Sequence, residues 1–140
     1  MNKKMLAERY PQALQWSFGD SPAMADELAQ LVINGTKIAS CGTYDAYKSE
    51  SSPGIGDYNI ILDGCNKPLC VIRTIGLTLI RYCDVTAEMA AKEGEGDKSL
   101  AYWQQEHRAF FERSGYFAPD MLLVFEQFEL VEVLDSPASH

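Results

Sequence analysis

Apolar positions change their period several times along the chain, and the changes mark its elements. A short helix is predicted from Lys3 to Tyr10, because Pro11 cannot continue one. Gly19-Asp20-Ser21-Pro22 reads as a helix start, since Ser21 is a good N-cap and Pro22 suits the first helical position. Ala25, Leu28, Leu31 and Val32 keep a 3.6-residue period to about Asn34. Gly35 then stands where a C-terminal glycine belongs. From Lys37 to Tyr47 the pattern becomes extended, with Ile38, Ser40, Thr43 and Tyr44 as its markers. Ser49 to Gly56, rich in Ser, Gly and Pro, is a loop. Asp57 to Asp63 reads as a strand and Gly64 to Lys67 as a turn.

Leu69 to Val85 is rich in β-branched residues and reads as one long bent strand, or two, with Gly76 at the bend. Thr86 is placed to cap a short helix from Ala87 to about Glu93. A polar loop, Gly94 to Asp97, follows, and Asp97 is placed to cap a second helix from Lys98 to about Ser114. The apolar stripe of that helix is Leu100, Trp103, His107 and Phe110 or Phe111. Met121 to Leu134 alternates as a long final strand with a bulge near Gln127, and residues 135–140 read as a loose tail. Strands interrupted by helices predict an α+β domain. Closing a curled sheet into a barrel would remove its edges, but periodicity does not choose between an open sheet and a barrel.

Length supports one domain, residues 1–140, with one core. The net charge of −8 disfavours non-specific coating of DNA or RNA, which rests on many Lys and Arg contacts to phosphate. It leaves room for a pocket holding one nucleotide, because such a pocket needs only a few placed donors. No run approaches the ~20 apolar residues of a membrane-spanning helix. The basic start, Met1 to Arg9, has no apolar run behind it, so no secretory signal is expected and the expected location is cytoplasmic. Cys41, Cys65, Cys70 and Cys83 lack C-x-x-C spacing and are expected as reduced, packed thiols. No cofactor is expected, with a divalent ion left open by the acidic loop at 93–97.

Three stretches carry candidate chemistry. Lys37 and Ser40 lie three apart where a helix passes into a strand, so both can reach one cavity, the lysine as base and the hydroxyl as nucleophile. Glu93, Glu95 and Asp97 flank two glycines that allow a tight turn to aim a carboxylate inward. Trp103 and His107 lie one turn apart and can share a pocket wall. Arg73 and Arg81 suit phosphate, and Tyr44, with Tyr47 and Tyr58, suits stacking on a base. Each also has a plain structural reading: a surface lysine, a solvated acidic loop, a packed histidine, a strand salt bridge, barrel packing. There is no G-x-G-x-x-G and no Walker loop, so dinucleotide and ATP chemistry are disfavoured.

The segments Trp16-Ser17-Phe18-Gly19-Asp20, Ala25-Asp26-Glu27-Leu28-Ala29, Gly35 to Ser40, and Glu93 to Trp103 together resemble the ASCH family of the PUA-like superfamily, over about residues 16–134. The resemblance implies a β-barrel of about five or six strands flanked by helices, with a cleft beside the glycine–lysine segment. It implies a link to RNA or modified nucleosides. In one branch, amidohydrolases that deacylate 4-N-acylated cytidine, the working set is a Lys, a Thr three residues later and a Glu. Lys37 matches the Lys, Ser40 stands for the Thr, and Glu93 or its rival Glu95 stands for the Glu. Tyr44, Arg73, Arg81, Glu95, Trp103 and His107 would then contact a nucleoside or single-stranded RNA. The alternatives are a ribonuclease and a non-catalytic RNA- or nucleotide-binding module.

Overall fold

In the computed structural model, which describes residues 3–19, 21–49, 54–115 and 117–134, the elements follow in this order. Helix α1 (Lys3–Arg9), strand β1 (Leu14–Trp16) and helix α2 (Pro22–Ile33) come first. Strand β2 (Ala39–Thr43), helix α3 (Tyr44–Ser49), and strands β3 (Tyr58–Leu62) and β4 (Pro68–Arg81) form the middle. A 3-10 turn (Tyr82–Asp84), helices α4 (Ala87–Glu93) and α5 (Leu100–Arg113), and strand β5 (Leu122–Val133) complete the chain. The expected tail at 135–140 and much of the Ser/Gly loop lie outside the described residues.

The five strands form one curled sheet in the order β1-β3-β4-β5-β2. All neighbours are antiparallel except β1 and β3. The result is an α+β half-barrel with β1 and β2 at its edges. Helix α2 buries Leu28, Ala29 and Val32 against Ile61, Cys70, Ile72 and Phe128 of the sheet. Helices α4 and α5 bury Ala90, Trp103 and Phe111 against Tyr82, Val85 and Leu123. Leu6 of α1 packs on Ile60 and Val71, on the opposite pleat positions of β3 and β4. Among the described residues no helix is long and apolar enough to cross a membrane.

Most predicted elements are present, and four details differ for local reasons. Strand β1 has only three residues and pairs in parallel with β3, so its alternation is too short to read from sequence. Tyr44 to Tyr47 is helical rather than extended, because the Thr43 hydroxyl accepts the backbone N–H of Ala46 and turns the chain. Helix α5 starts later than expected, since Lys98 sits at φ 67°, where no helix can run. Ser99 caps it instead, its hydroxyl accepting from Tyr102 N, while Asp97 accepts from Ser99 N. The bulge expected in the final strand near Gln127 lies instead on its partner, where Ile75 of β4 is the extra residue, one position from the predicted bend at Gly76. A second bulge places Val131 as the extra residue on β5.

Two helix ends matter for the cleft. Asn34 closes α2 through bonds to Gln30 and Val32, and Gly35 turns the chain at φ 78°. Gly94 closes α4 at φ 69° and lies hard against the segment after α2: an added Cβ would meet Thr36 O at 2.2 Å. Gly94→Ala therefore combines left-handed strain with a backbone clash and should cost about 2 kcal/mol or more. Thermal melts of the variant check this.

Candidate functional site

Lys37 is pinned before its side chain is considered. The N–H groups of Thr36 and Lys37 both donate to Leu31 O, and Ile38 N donates to Lys92 O. The segment leaving α2 is thereby tied to the end of α4. The Lys37 side chain then runs inward and is 0% exposed, against the expectation for a surface lysine. Its Nζ lies 2.7 Å from Glu95 Oε2, 3.5 Å from Glu93 Oε1 and 3.4 Å from Glu93 O. It also sits 5.4 Å from the Phe18 ring centre, a cation–π contact. These partners suit the ammonium form.

Glu93, 1% exposed, is held from behind. It accepts a short hydrogen bond from the Trp103 indole N–H. His107 Nε2 stands 3.4 Å from its Oε1. The His107 ring stacks on Trp103 with centroids 4.2 Å apart, and its Nδ1 lies 3.0 Å from Trp103 O. A carbonyl oxygen only accepts, so Nδ1 carries a proton. A neutral ring would then aim the Nε2 lone pair at a carboxylate; a proton between them removes that repulsion. The ionisation follows the same geometry. Burial works to lower the His107 value, but the Glu93 carboxylate outweighs it and the net direction is upward. Burial works to raise Glu93, but His107, Lys37 and Trp103 prevail and bring it to about 2. With both cations charged, two positive and two negative groups close a neutral quartet. Asp97, exposed and bonded to Ser99, takes no part in it.

The quartet floors a cleft of about 90 Å³ beside β2. Lys37, Ser40, Cys41, Glu93, Glu95 and His107 line it, with Phe18, Met24, Leu28 and Phe110 as apolar wall and Glu106 beside them. Ser40 makes no side-chain hydrogen bond among the described residues, and none joins it to Lys37. Cys41 is kept as a thiol: burial first, then the Glu93 charge, push it well above its ordinary value.

Of the residues singled out from sequence, Lys37, Ser40, Glu93, Glu95 and His107 meet in this cleft. Trp103 stands behind it and holds Glu93. Tyr44, Arg73 and Arg81 lie elsewhere. Arg73 is on β4, pairs with Glu129 at 3.4 Å and is exposed. Tyr44 and Arg81 line a separate cleft of about 310 Å³ with Asp45 and Asp120, and Arg81 donates to Asp120 O at 2.7 Å. Tyr58 packs against Tyr10. Sequence reasoning missed Phe18, Cys41, Glu106 and Phe110. The spacing of Glu106 and Phe110 about His107 on one helix was the available signal; nothing local marks Phe18 or Cys41. Among the described residues no group of three His, Cys, Asp or Glu is arranged to hold a metal ion.

A curled half-barrel with such a cleft at its β2 edge defines an α+β domain of the PUA-like class. The chain belongs to the ASCH domain family, whose model matches residues 14–132. The ASCH domain of Lactobacillus crispatus is a similar solved structure, with 36% identity and a TM-score of 0.80 over 93% of this chain and 86% of that one. Protein EF3133 of Enterococcus faecalis is 37% identical with a TM-score of 0.81, over 93% of this chain and 85% of its own. The hypothetical protein PH0355, at 19% identity and a TM-score of 0.57 over 84% of this chain and all of its own, shares the fold alone. No curated protein matches the chain.

Proposed function

We propose that the cleft binds a pyrimidine nucleoside and hydrolyses an acyl amide on its exocyclic nitrogen, as in 4-N-acylated cytidine. The observation that carries this reading is the meeting of Lys37 and Glu93, 56 residues apart and both buried, at 3.5 Å in a cleft that Ser40 also lines. Glu95 or Glu106 offers a carboxylate to the one N–H of the acylated exocyclic nitrogen. Phe18 and Phe110 offer apolar faces for the ring. Ser40 Oγ attacks the acyl carbon as its proton passes to a neighbouring carboxylate, which returns it to Oγ when water later frees the serine. The Lys37 ammonium faces the developing oxyanion and then protonates the departing nitrogen, so the C–N bond breaks to release the free amine. Water hydrolyses the acyl-serine, returning a proton to Lys37 and the acyl group as a carboxylic acid. Neither a metal nor a cofactor enters these steps.

Arg73 and Arg81, which a ribonuclease reading would place on phosphate, are outside the cleft. That Ser40 makes no side-chain hydrogen bond among the described residues favours one competing reading, a binding module that holds the base without turning it over. A panel of 4-N-acylated cytosines and cytidines separates the two. Expected is turnover by the wild type, lost in Ser40→Ala, with nucleoside affinity within about threefold. Affinity without turnover on any member would leave the binding module, with single-stranded RNA as the next ligand.

A further inference from the structure

A chain of side-chain hydrogen bonds crosses the sheet face that α2 covers and ends at Glu126, the register partner of Ser40. The Trp16 indole N–H donates to Asn59 Oδ1 at 3.0 Å, and Asn59 Nδ2 donates to Thr74 Oγ1 at 3.4 Å. The Thr74 hydroxyl then donates to Glu126 Oε2 at 2.6 Å. Asn59 and Thr74 are 0% exposed. Trp16 only donates, so the direction of every link is fixed and Glu126 is the terminal acceptor. One carboxylate oxygen is committed to Thr74; Oε1 makes no hydrogen bond among the described residues.

The sheet register says what lies next to that oxygen. Ser40 of β2 and Glu126 of β5 are directly opposed antiparallel partners. Opposed residues put their side chains on the same face with Cβ atoms about 4.5–5.5 Å apart, well within a glutamate's reach. Phe128, two residues along β5 and on the same face, packs on Phe18 of the cleft wall with centroids 6.2 Å apart. Glu126 therefore shares a sheet face with Ser40 and Phe128, directly behind a cleft that Ser40 and Phe18 line.

Resting on the hydrolase reading above, we infer that Glu126 is the catalytic base that takes the Ser40 proton when Oγ attacks, its free Oε1 closing on the hydroxyl as substrate binds. The Ser40 O–H bond breaks, the proton passes to Glu126 Oε1, and the electron pair on Oγ forms the bond to the acyl carbon. When water later displaces the acyl group, Ser40 Oγ recovers that proton from Glu126, and the enzyme is restored. Lys37, already facing two carboxylates, is left to serve the oxyanion and the departing nitrogen. Burial pushes the Glu126 carboxyl above its ordinary value, and the Thr74 bond only partly opposes it, which makes it a better proton acceptor than an exposed carboxylate. The Trp16–Asn59–Thr74 chain holds it from behind.

The test reads Ser40 directly and does not depend on knowing the substrate. Wild type, Glu126→Gln and Glu126→Asp, each checked for folding by circular dichroism and melting, are treated with a fluorophosphonate, and labelling of Ser40 is timed by mass spectrometry. Glutamine keeps the acceptor for Thr74 but cannot take a proton. Expected is labelling of wild-type Ser40, slowed about 100-fold in Glu126→Gln and partly restored in Glu126→Asp, which keeps a carboxylate. Labelling of Glu126→Gln within about twofold of wild type, an aspartate variant no better than the glutamine one, or an inert Ser40 in the wild type would each overturn the assignment. If acyl-cytidines are not turned over yet Ser40 labels with this dependence, the substrate reading fails and the Glu126 assignment stands.

Discussion

Lys37→Met should destabilise the fold by about 3–5 kcal/mol and abolish amide hydrolysis. Methionine fills much of the lysine's volume, so the loss is not mainly a cavity. It comes from Glu93 and Glu95, whose carboxylates meet at one ammonium 3.5 and 2.7 Å away. Without it, His107 alone opposes two negative charges, and Glu93 at 1% exposure cannot regain water. Lys37→Arg should not restore function, because a planar fork of five donors needs a wider site than the one bounded by Phe18 and the two carboxylates. Urea melts give the stability change, and turnover measured well below the melting temperature separates lost chemistry from lost fold. A loss below about 1 kcal/mol would mean that the carboxylates take up a proton or admit water instead, and that the quartet is looser than its distances imply.

Much of the architecture was legible because it is written in local signals. Ser21-Pro22, Thr86 and Gly94 mark helix ends, and the alternation from Met121 marks β5. What was not legible depends on partners remote in the chain. The helix at Tyr44 comes from one hydroxyl cap and carries no apolar period. The three-residue β1 exists only through β3. In the cleft, Lys37 and Ser40 were readable by their spacing and the resemblance, and the Glu93–Glu95 turn by its glycines. Their meeting was not, because it depends on Ile38 bonding to the end of α4. Arg73 and Arg81 illustrate the opposite error. A strand arginine has the right chemistry for phosphate, but its face is set by register, and here β4 aims Arg73 at Glu129. Phe18 and Glu126 could be found only from the fold, the first because it lies in irregular chain, the second because its role depends on which residue it opposes.

Stability should fall below about pH 4.5 and again above about 6.5, and the two members of one buried ion pair contribute to opposite limbs. Glu93 is depressed in the folded state, from 4.5 to about 2. Its contribution is therefore complete above 4.5 and is lost as pH falls toward 2, a change on the order of 3 kcal/mol. His107 is raised in the folded state. Its contribution is complete below 6.5 and is lost as pH rises through the folded value. Glu126 is also raised by burial, so its contribution is likewise lost as pH rises from 4.5 through its folded value. Melts between pH 2 and 8.5 stop short of the Cys41 and Cys70 thiols, both pushed up by burial, Cys70 to about 12. His107→Gln should keep the acid limb, weakened because Glu93 has lost one of its partners, and should flatten the decline above pH 6.5. An unchanged decline in that variant would remove His107 as its source. It would also undo the argument that a protonated Nδ1 against Trp103 O obliges the ring to carry a second proton toward Glu93.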